Sequence, residues 1–182
     1  MKKKLTILSV VILLAIIFLM LRPSTYPPMA GTVVDAVTGQ PIEGAVVLVE
    51  WTKMHGIGEH WTESFKVEEA VTGKDGKFTV AGLAARNVSR PDVTVYKNGY
   101  VAWSSRWIFP GYENRTNFSW GNYVFKLEHF KKGYSYIDHT DFITSSINSS
   151  LNFEAKKNIY NAFRWEDQMA SKERDSNARK QR

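Results

Sequence analysis

GTVVDAVTGQPIEGAVVLV, residues 31–49, reads as two strands and the turn between them. Val33 and then Ala45, Val47 and Val49 fall at a side-chain period of two, which turns them all to one face of an extended chain. In the intervening segment Asp35 and Thr38 can hydrogen-bond nearby backbone, Gly39 tolerates a positive φ, and Pro41 fixes φ as the chain re-enters extended structure. The second strand continues through Glu50-Trp51-Thr52, with Leu48 and Glu50 on the opposite face.

Downstream, the same pattern recurs. Lys53–Ser64 holds two glycines, two histidines and a tryptophan and reads as a long loop or splayed hairpin tip. Phe65, Val67 and Glu69 alternate in a third strand, and GKDGK at residues 73–77 is a tight-turn signal leading to Phe78 and Val80. Val93 and Val95 mark another strand, Val101–Ile108 is tryptophan-rich, Phe109–Ser119 reads as an insertion, and NYVFKLE at 122–128 closes the series. Short alternating strands separated by regular turns predict an antiparallel β-sandwich of about seven strands. After Tyr134 the strand signal fades. Leu151, Ala155, Ile159 and Phe163 lie at helical spacing, predicting a helix from about Ser150 to Ala170 that is capped near Asn148–Ser150 and docks on the sandwich. The terminal SKERDSNARKQR lacks large apolar residues and is expected to fray.

The amino terminus has a different character. Lys2-Lys3-Lys4 precedes an uncharged aliphatic run, Leu5–Leu21, which as a helix would measure about 26 Å at 1.5 Å per residue. That length suits a signal anchor at the short end of the spanning range, and the lysines place its amino end inside. No A-x-A-like cleavage site follows closely; were the signal cleaved, the chain would be secreted. Three prolines in residues 22–29 suit an extended spacer. The expected division is therefore 1–22 as signal anchor and transmembrane helix, 23–28 as spacer, 29–130 as sandwich and 131–182 as a carboxy-terminal extension with one helix. Of the net +6, +4 sits on Lys2, Lys3, Lys4 and Arg22 and +3 on the tail from Lys172, leaving the body near −1, so a nucleic-acid-binding face is not indicated. The absence of cysteine excludes a disulfide framework.

Three stretches, residues 31–47, 72–83 and 93–100, together resemble the carboxypeptidase regulatory-like domain, a transthyretin-like (prealbumin-like) β-sandwich, over about Met29–Glu128. The resemblance implies an accessory module without chemistry or cofactor of its own. It also implies a bacterial envelope protein, with the domain in the periplasm or outside the cell and a protein partner. The chain departs from the simplest form of the family at Lys53–Ser64, at Phe109–Ser119 and in the terminal helix, and a private function is expected there.

Aromatic residues concentrate in those departures. Trp61, Trp103, Trp107, Tyr112 and Trp120 are the candidate binding residues, since exposed tryptophan and tyrosine stack on sugar rings or anchor protein interfaces. Their alternative role is core filling. A protein partner is the leading expectation, a glycan the second. His55 and His60 flanking Glu59 offer a metal-dependent enzyme as a weaker third, but a zinc site needs a further ligand, and His129 and His139 could reach it only through the fold. No G-x-S-x-G or H-x-H signature is present, and no catalytic or metal residue is assigned.

Overall fold

Valine and aromatic side chains at alternate positions fold the middle of the chain into strands. The structure, a computed structural model, describes residues 11–16, 18, 22–56, 61–147 and 154–180. The strands are β1 (Ser24–Tyr26), β2 (Met29–Asp35), β3 (Val46–His55), β4 (Trp61–Val71), β5 (Lys77–Val80) and β6 (Leu83–Ala85). They continue with β7 (Asp92–Tyr96), β8 (Trp103–Ser104), β9 (Trp107–Ile108), β10 (Glu113–Asn114) and β11 (Tyr123–Leu127). Helix α1 (Tyr136–Ser146) follows, then a 3-10 turn (Glu154–Lys156) that leads directly into α2 (Lys157–Lys180).

Two sheets face each other, one of four strands in the order β4-β3-β7-β8 and one of three in the order β11-β2-β5. Val47, Val49 and Trp51 of β3, Val93 and Val95 of β7, and Trp103 meet Met29, Val33, Phe78, Val80, Phe125 and Leu127 between the sheets. The predicted inward set Val33, Ala45, Val47 and Val49 all lies in this core. The sandwich is not wholly antiparallel: β11 runs parallel to β2, because the chain crosses from one sheet to the other before closing. Eleven short strands, rather than about seven, are formed among the described residues, the additional ones being short pairs such as β9–β10 and β1–β6.

The other face of β3 carries a second core. Val46, Leu48, Tyr96 and Ala102 pack against Phe142, Ile143 and Ile147 of the α1 end and Ile159 and Phe163 of α2. The molecule thus has three layers, with the four-stranded sheet buried on both sides. α1 is an addition to the predicted elements. α2 begins at Lys157 and continues as helix to Lys180, so residues 171–180 are not frayed. Asp175 and Arg179, spaced i,i+4 with the acid first, favour that continuation. Leu151 and the predicted caps Asn148–Ser150 lie outside the described residues.

Part of the proline-rich stretch is structured as well. Ser24–Tyr26 pairs with β6 rather than forming a free spacer. Of the predicted membrane helix, residues 11–16 and 18 are helical with exposed apolar side chains, and the rest of the run lies outside the described residues. Among the described residues no helix is long and apolar enough to cross a membrane.

Candidate interaction surfaces

β3 and β4 run on past the rest of their sheet. β7 accompanies β3 only from Val46 to Glu50, whereas β4 follows it to the His55–Trp61 pair. The predicted loop Lys53–Ser64 is therefore largely strand, with Glu59 and His60 outside the described residues. A register shift between Trp51 and Thr52 leaves Phe65 as the extra residue of a bulge. Three large apolar side chains stay in solvent here: Met54 at 63% exposure, Trp61 at 59% and Phe65 at 43%. His55 stacks on Trp61 with ring centroids 5.5 Å apart, and its Nε2 lies 3.1 Å from Glu63. The ammonium of Lys53 sits 3.6 Å from the centre of the Phe65 ring. These contacts hold the aromatics outside the core. Among the described residues no group of three His, Cys, Asp or Glu side chains is placed to hold a metal.

The remaining candidate aromatics are mostly structural. Trp103 is buried between the sheets, edge-on to Phe125 at 4.7 Å, with no free face. Trp120 is half-buried, packs against Trp51 and Tyr26, and donates its Nε1–H to the Pro27 carbonyl at 2.8 Å. Trp107 is half-buried against the second core. Tyr112 is exposed but tilted 55° from Trp107, so the pair forms no flat platform; burial and the Asp141 carboxylate push its phenol pKa up. Of the five, Trp61 and Tyr112 are exposed, Trp61 the more so. Trp165 of α2, which was not among the candidates, is 46% exposed.

The polar residues that matter most lie beneath the helices. Glu166 of α2 is buried, and its carboxylate accepts from the Tyr96 hydroxyl at 2.7 Å and from His139 Nδ1 at 2.6 Å. The Ala102 amide donates to His139 Nε2 at 2.9 Å, which puts the ring proton on Nδ1. Burial, reinforced by Glu166, drives the Tyr96 phenol far above its ordinary pKa. The Lys156 ammonium, also buried, donates to Glu50 Oε2 at 2.8 Å and to the Ile147 carbonyl at 2.7 Å. Two further carboxylates cap the helices: Glu69 of β4 accepts from the Asn158 and Ile159 amides, each at 2.9 Å, and Glu173 accepts from the Tyr136 amide at 2.8 Å. These groups are spent on each other, and what they do is lock the helix pair to the sheet.

At the opposite end of the sandwich, Asp35 organises the β2–β3 turn. Its Oδ1 accepts from the Val37 and Thr38 amides, each at 2.8 Å, while Oδ2 meets Tyr100 at 3.2 Å and His129 at 2.6 Å. The Thr38 amide, helped by the other donors, holds the Asp35 carboxyl down at a pKa of about 2.

The sequence profile of the carboxypeptidase regulatory-like domain matches residues 28–120. The chain belongs to that family. No curated protein matches it. Among solved structures, the regulatory-like chain is similar to the group B streptococcus pilus 2b backbone protein, at 16% identity over 57% of this chain and 41% of that one, with a TM-score of 0.33. It is also similar to a streptococcal ancillary pilin (17% identity, 61% of this chain and 30% of that one, TM-score 0.31) and to the shaft pilin SpaA of Lactobacillus rhamnosus GG (16%, 60% and 47%, TM-score 0.30). The chain spans less than half the length of each of these three pilins.

The family match ends at residue 120, so β11, α1 and α2 lie beyond it. The regulatory-like domain here is completed by β11 and then covered by a helix pair whose anchoring residues, His139, Lys156 and Glu166, a hydrophobic pattern does not reveal. One signal was available. Ser135 with Asp138 three residues later is a capping pattern, and Ser135 does cap α1 by accepting from the Asp138 amide at 3.2 Å.

Proposed function

We propose that this chain is a non-catalytic accessory module, tethered to the cell envelope by its apolar amino-terminal run, that offers the outer surface of α2 to a protein partner. The observation that carries the reading is that surface. Trp165 stands exposed, edge-on to Tyr136 at 5.7 Å, and residues 174–180 continue as exposed helix beyond the last contact with α1, at Glu173. A partly free tryptophan beside a solvated helical overhang suits a protein anchor.

The tether is supported by the sequence of residues 2–21, lysines followed by an uncharged run, part of which is helical and exposed. On this reading residues 1–22 are a single-pass anchor, residues 29–130 the sandwich and residues 131–182 its extension. The module faces the periplasm or exterior of a bacterial cell. Glycan binding is the second reading and is supported by the exposed ring of Trp61.

The test is crosslinking in intact cells with the full chain, with a chain ending at Glu173, and with Trp165→Ala. Both variants spare the buried contacts of α2. Recovery of one envelope protein that falls with both variants is the expected result. Equal recovery by all three refutes the α2 interface, and retention on cell-wall glycan that is lost in Trp61→Ala would favour the glycan reading.

A further inference from the structure

The hairpin tip and the start of the sandwich share one pole. β1 enters at Ser24, which pairs with Ala85. Three residues later Val88 bridges Lys53 at the base of the tip, a chain distance of at most about 11 Å. The Ser89 amide and hydroxyl both donate to the Thr52 carbonyl, each at 2.9 Å, closing the same junction. A second tie reinforces the first: Trp120 bonds Pro27 just after β1 and packs on Trp51, two residues before Lys53. The apolar run of the tether therefore ends, at Leu21, three residues from the pole that carries Met54, Trp61 and Phe65.

We propose that the tip of the β3–β4 hairpin is a second membrane contact, with Trp61, Phe65 and Met54 entering the interfacial layer of the bilayer that holds the tether. This rests on the tethered reading above. Lengths agree: Leu21 to Ser24 spans at most about 11 Å, and the tip stands about 7 Å beyond the Lys53–Val88 bridge at His55. Composition agrees too. Tryptophan and phenylalanine favour the membrane–water boundary, where an apolar ring and a polar edge are both satisfied. Arg22, Lys53, Arg86 and Arg90 lie in or beside the segments that meet at this pole, against two acids in the tip sequence, Glu59 and Glu63, the latter paired with His55. That balance suits anionic headgroups. The contact would fix the orientation of the module and hold α2 away from the lipid.

The chain has no cysteine, so single labels can be placed without removing native ones. The full chain carrying Thr62→Cys, Val37→Cys or Leu14→Cys would be labelled with a fluorophore. It would then be reconstituted into vesicles of phosphatidylcholine and phosphatidylglycerol containing headgroup-proximal or deep nitroxide lipids. Val37 lies on the exposed turn at the far pole. The expected result is deep-nitroxide quenching at Leu14, and headgroup-level quenching at Thr62 at least about twofold above Val37, since interfacial residues sit at headgroup depth. Trp61→Ala/Phe65→Ala should bring Thr62 down to the Val37 level. Quenching at Leu14 with Thr62 no different from Val37 overturns the hairpin contact and leaves the tether standing. Quenching at Thr62 that survives the double substitution also overturns it. No quenching at Leu14 refutes the tether, and the hairpin contact with it.

Discussion

Replacing Lys156 with methionine removes an ammonium that ties three elements of the second core together. Lys156 precedes α2, Glu50 comes from β3, and Ile147 ends α1. Lys156 and Glu50 are both fully buried, and methionine fills nearly the same space, so the change is almost purely one of charge. Lys156→Met strands the Glu50 carboxylate in an apolar layer, a defect that costs about 3–5 kcal/mol. Against a total stability of about 5–15 kcal/mol, that is a large fraction. Glu50→Leu strands the ammonium instead and should cost about the same. The double substitution behaves differently, because an apolar pair replaces an ion pair. What remains is the Ile147 carbonyl without the Lys156 donor, worth about 1–3 kcal/mol. Equilibrium urea unfolding of the full chain in mild detergent, followed by tryptophan fluorescence, reads all four proteins. A Lys156→Met variant within about 1 kcal/mol of the native chain, or a double variant as unstable as the sum of the singles, would refute this account of the helix layer.

Three other outcomes follow from the same structure. Because Asp35 has a folded pKa of about 2 against an ordinary 3.8, its contribution is complete above pH 3.8 and is lost as pH falls towards 2. Acid unfolding of Asp35→Asn should therefore be flatter than that of the native chain over that window, and identical slopes would show that the turn is not what titrates. Phe163→Ala, emptying a buried site between α2 and Tyr96, should cost about 3–5 kcal/mol, while Trp165→Ala two residues on should stay within about 0.5 kcal/mol by the same unfolding measurement. Gly39 and Gly76 share a φ near +70°, but a Cβ on Gly76 would lie 2.5 Å from the Val33 carbonyl whereas one on Gly39 meets nothing within 4 Å. Gly39→Ala should thus cost about 1 kcal/mol and Gly76→Ala clearly more, as read by thermal melting.

The sandwich was legible because its information is local. Period-two valines and an Asp-Gly turn specify strands and reversals without reference to anything distant. The helix layer was only half legible. In α1 the buried positions are His139, Thr140, Phe142, Ile143 and Ser146, a stripe at helical spacing but more than half polar, so hydrophobic periodicity barely registers. In α2 the stripe of Ile159, Phe163 and Ala170 is apolar except at Glu166, whose burial depends on Tyr96 and His139, residues 70 and 27 positions away. Which of the aromatic candidates stand in solvent was illegible for a related reason. Composition counts tryptophans, but whether Trp103 faces a ligand or Phe125 depends on how two sheets meet.

The run Val46–Trp51 can now be understood as the wall between two cores, with Val47, Val49 and Trp51 on one side and Val46, Leu48 and Glu50 on the other. Such a strand is unstable with either face bare. Cutting the chain at Tyr134 would leave the sandwich core intact but expose Val46, Leu48 and Tyr96 as one apolar sheet face and unpair Glu50. An exposed face of that kind adheres to many surfaces. A partner captured by the shortened domain would therefore report the missing helices, not a physiological interface. The chain ending at Glu173 avoids this, because the Glu173 cap on α1, the buried Glu166 and the Lys156–Glu50 pair all survive the cut. A loss of partner binding on that truncation would belong to the overhang itself.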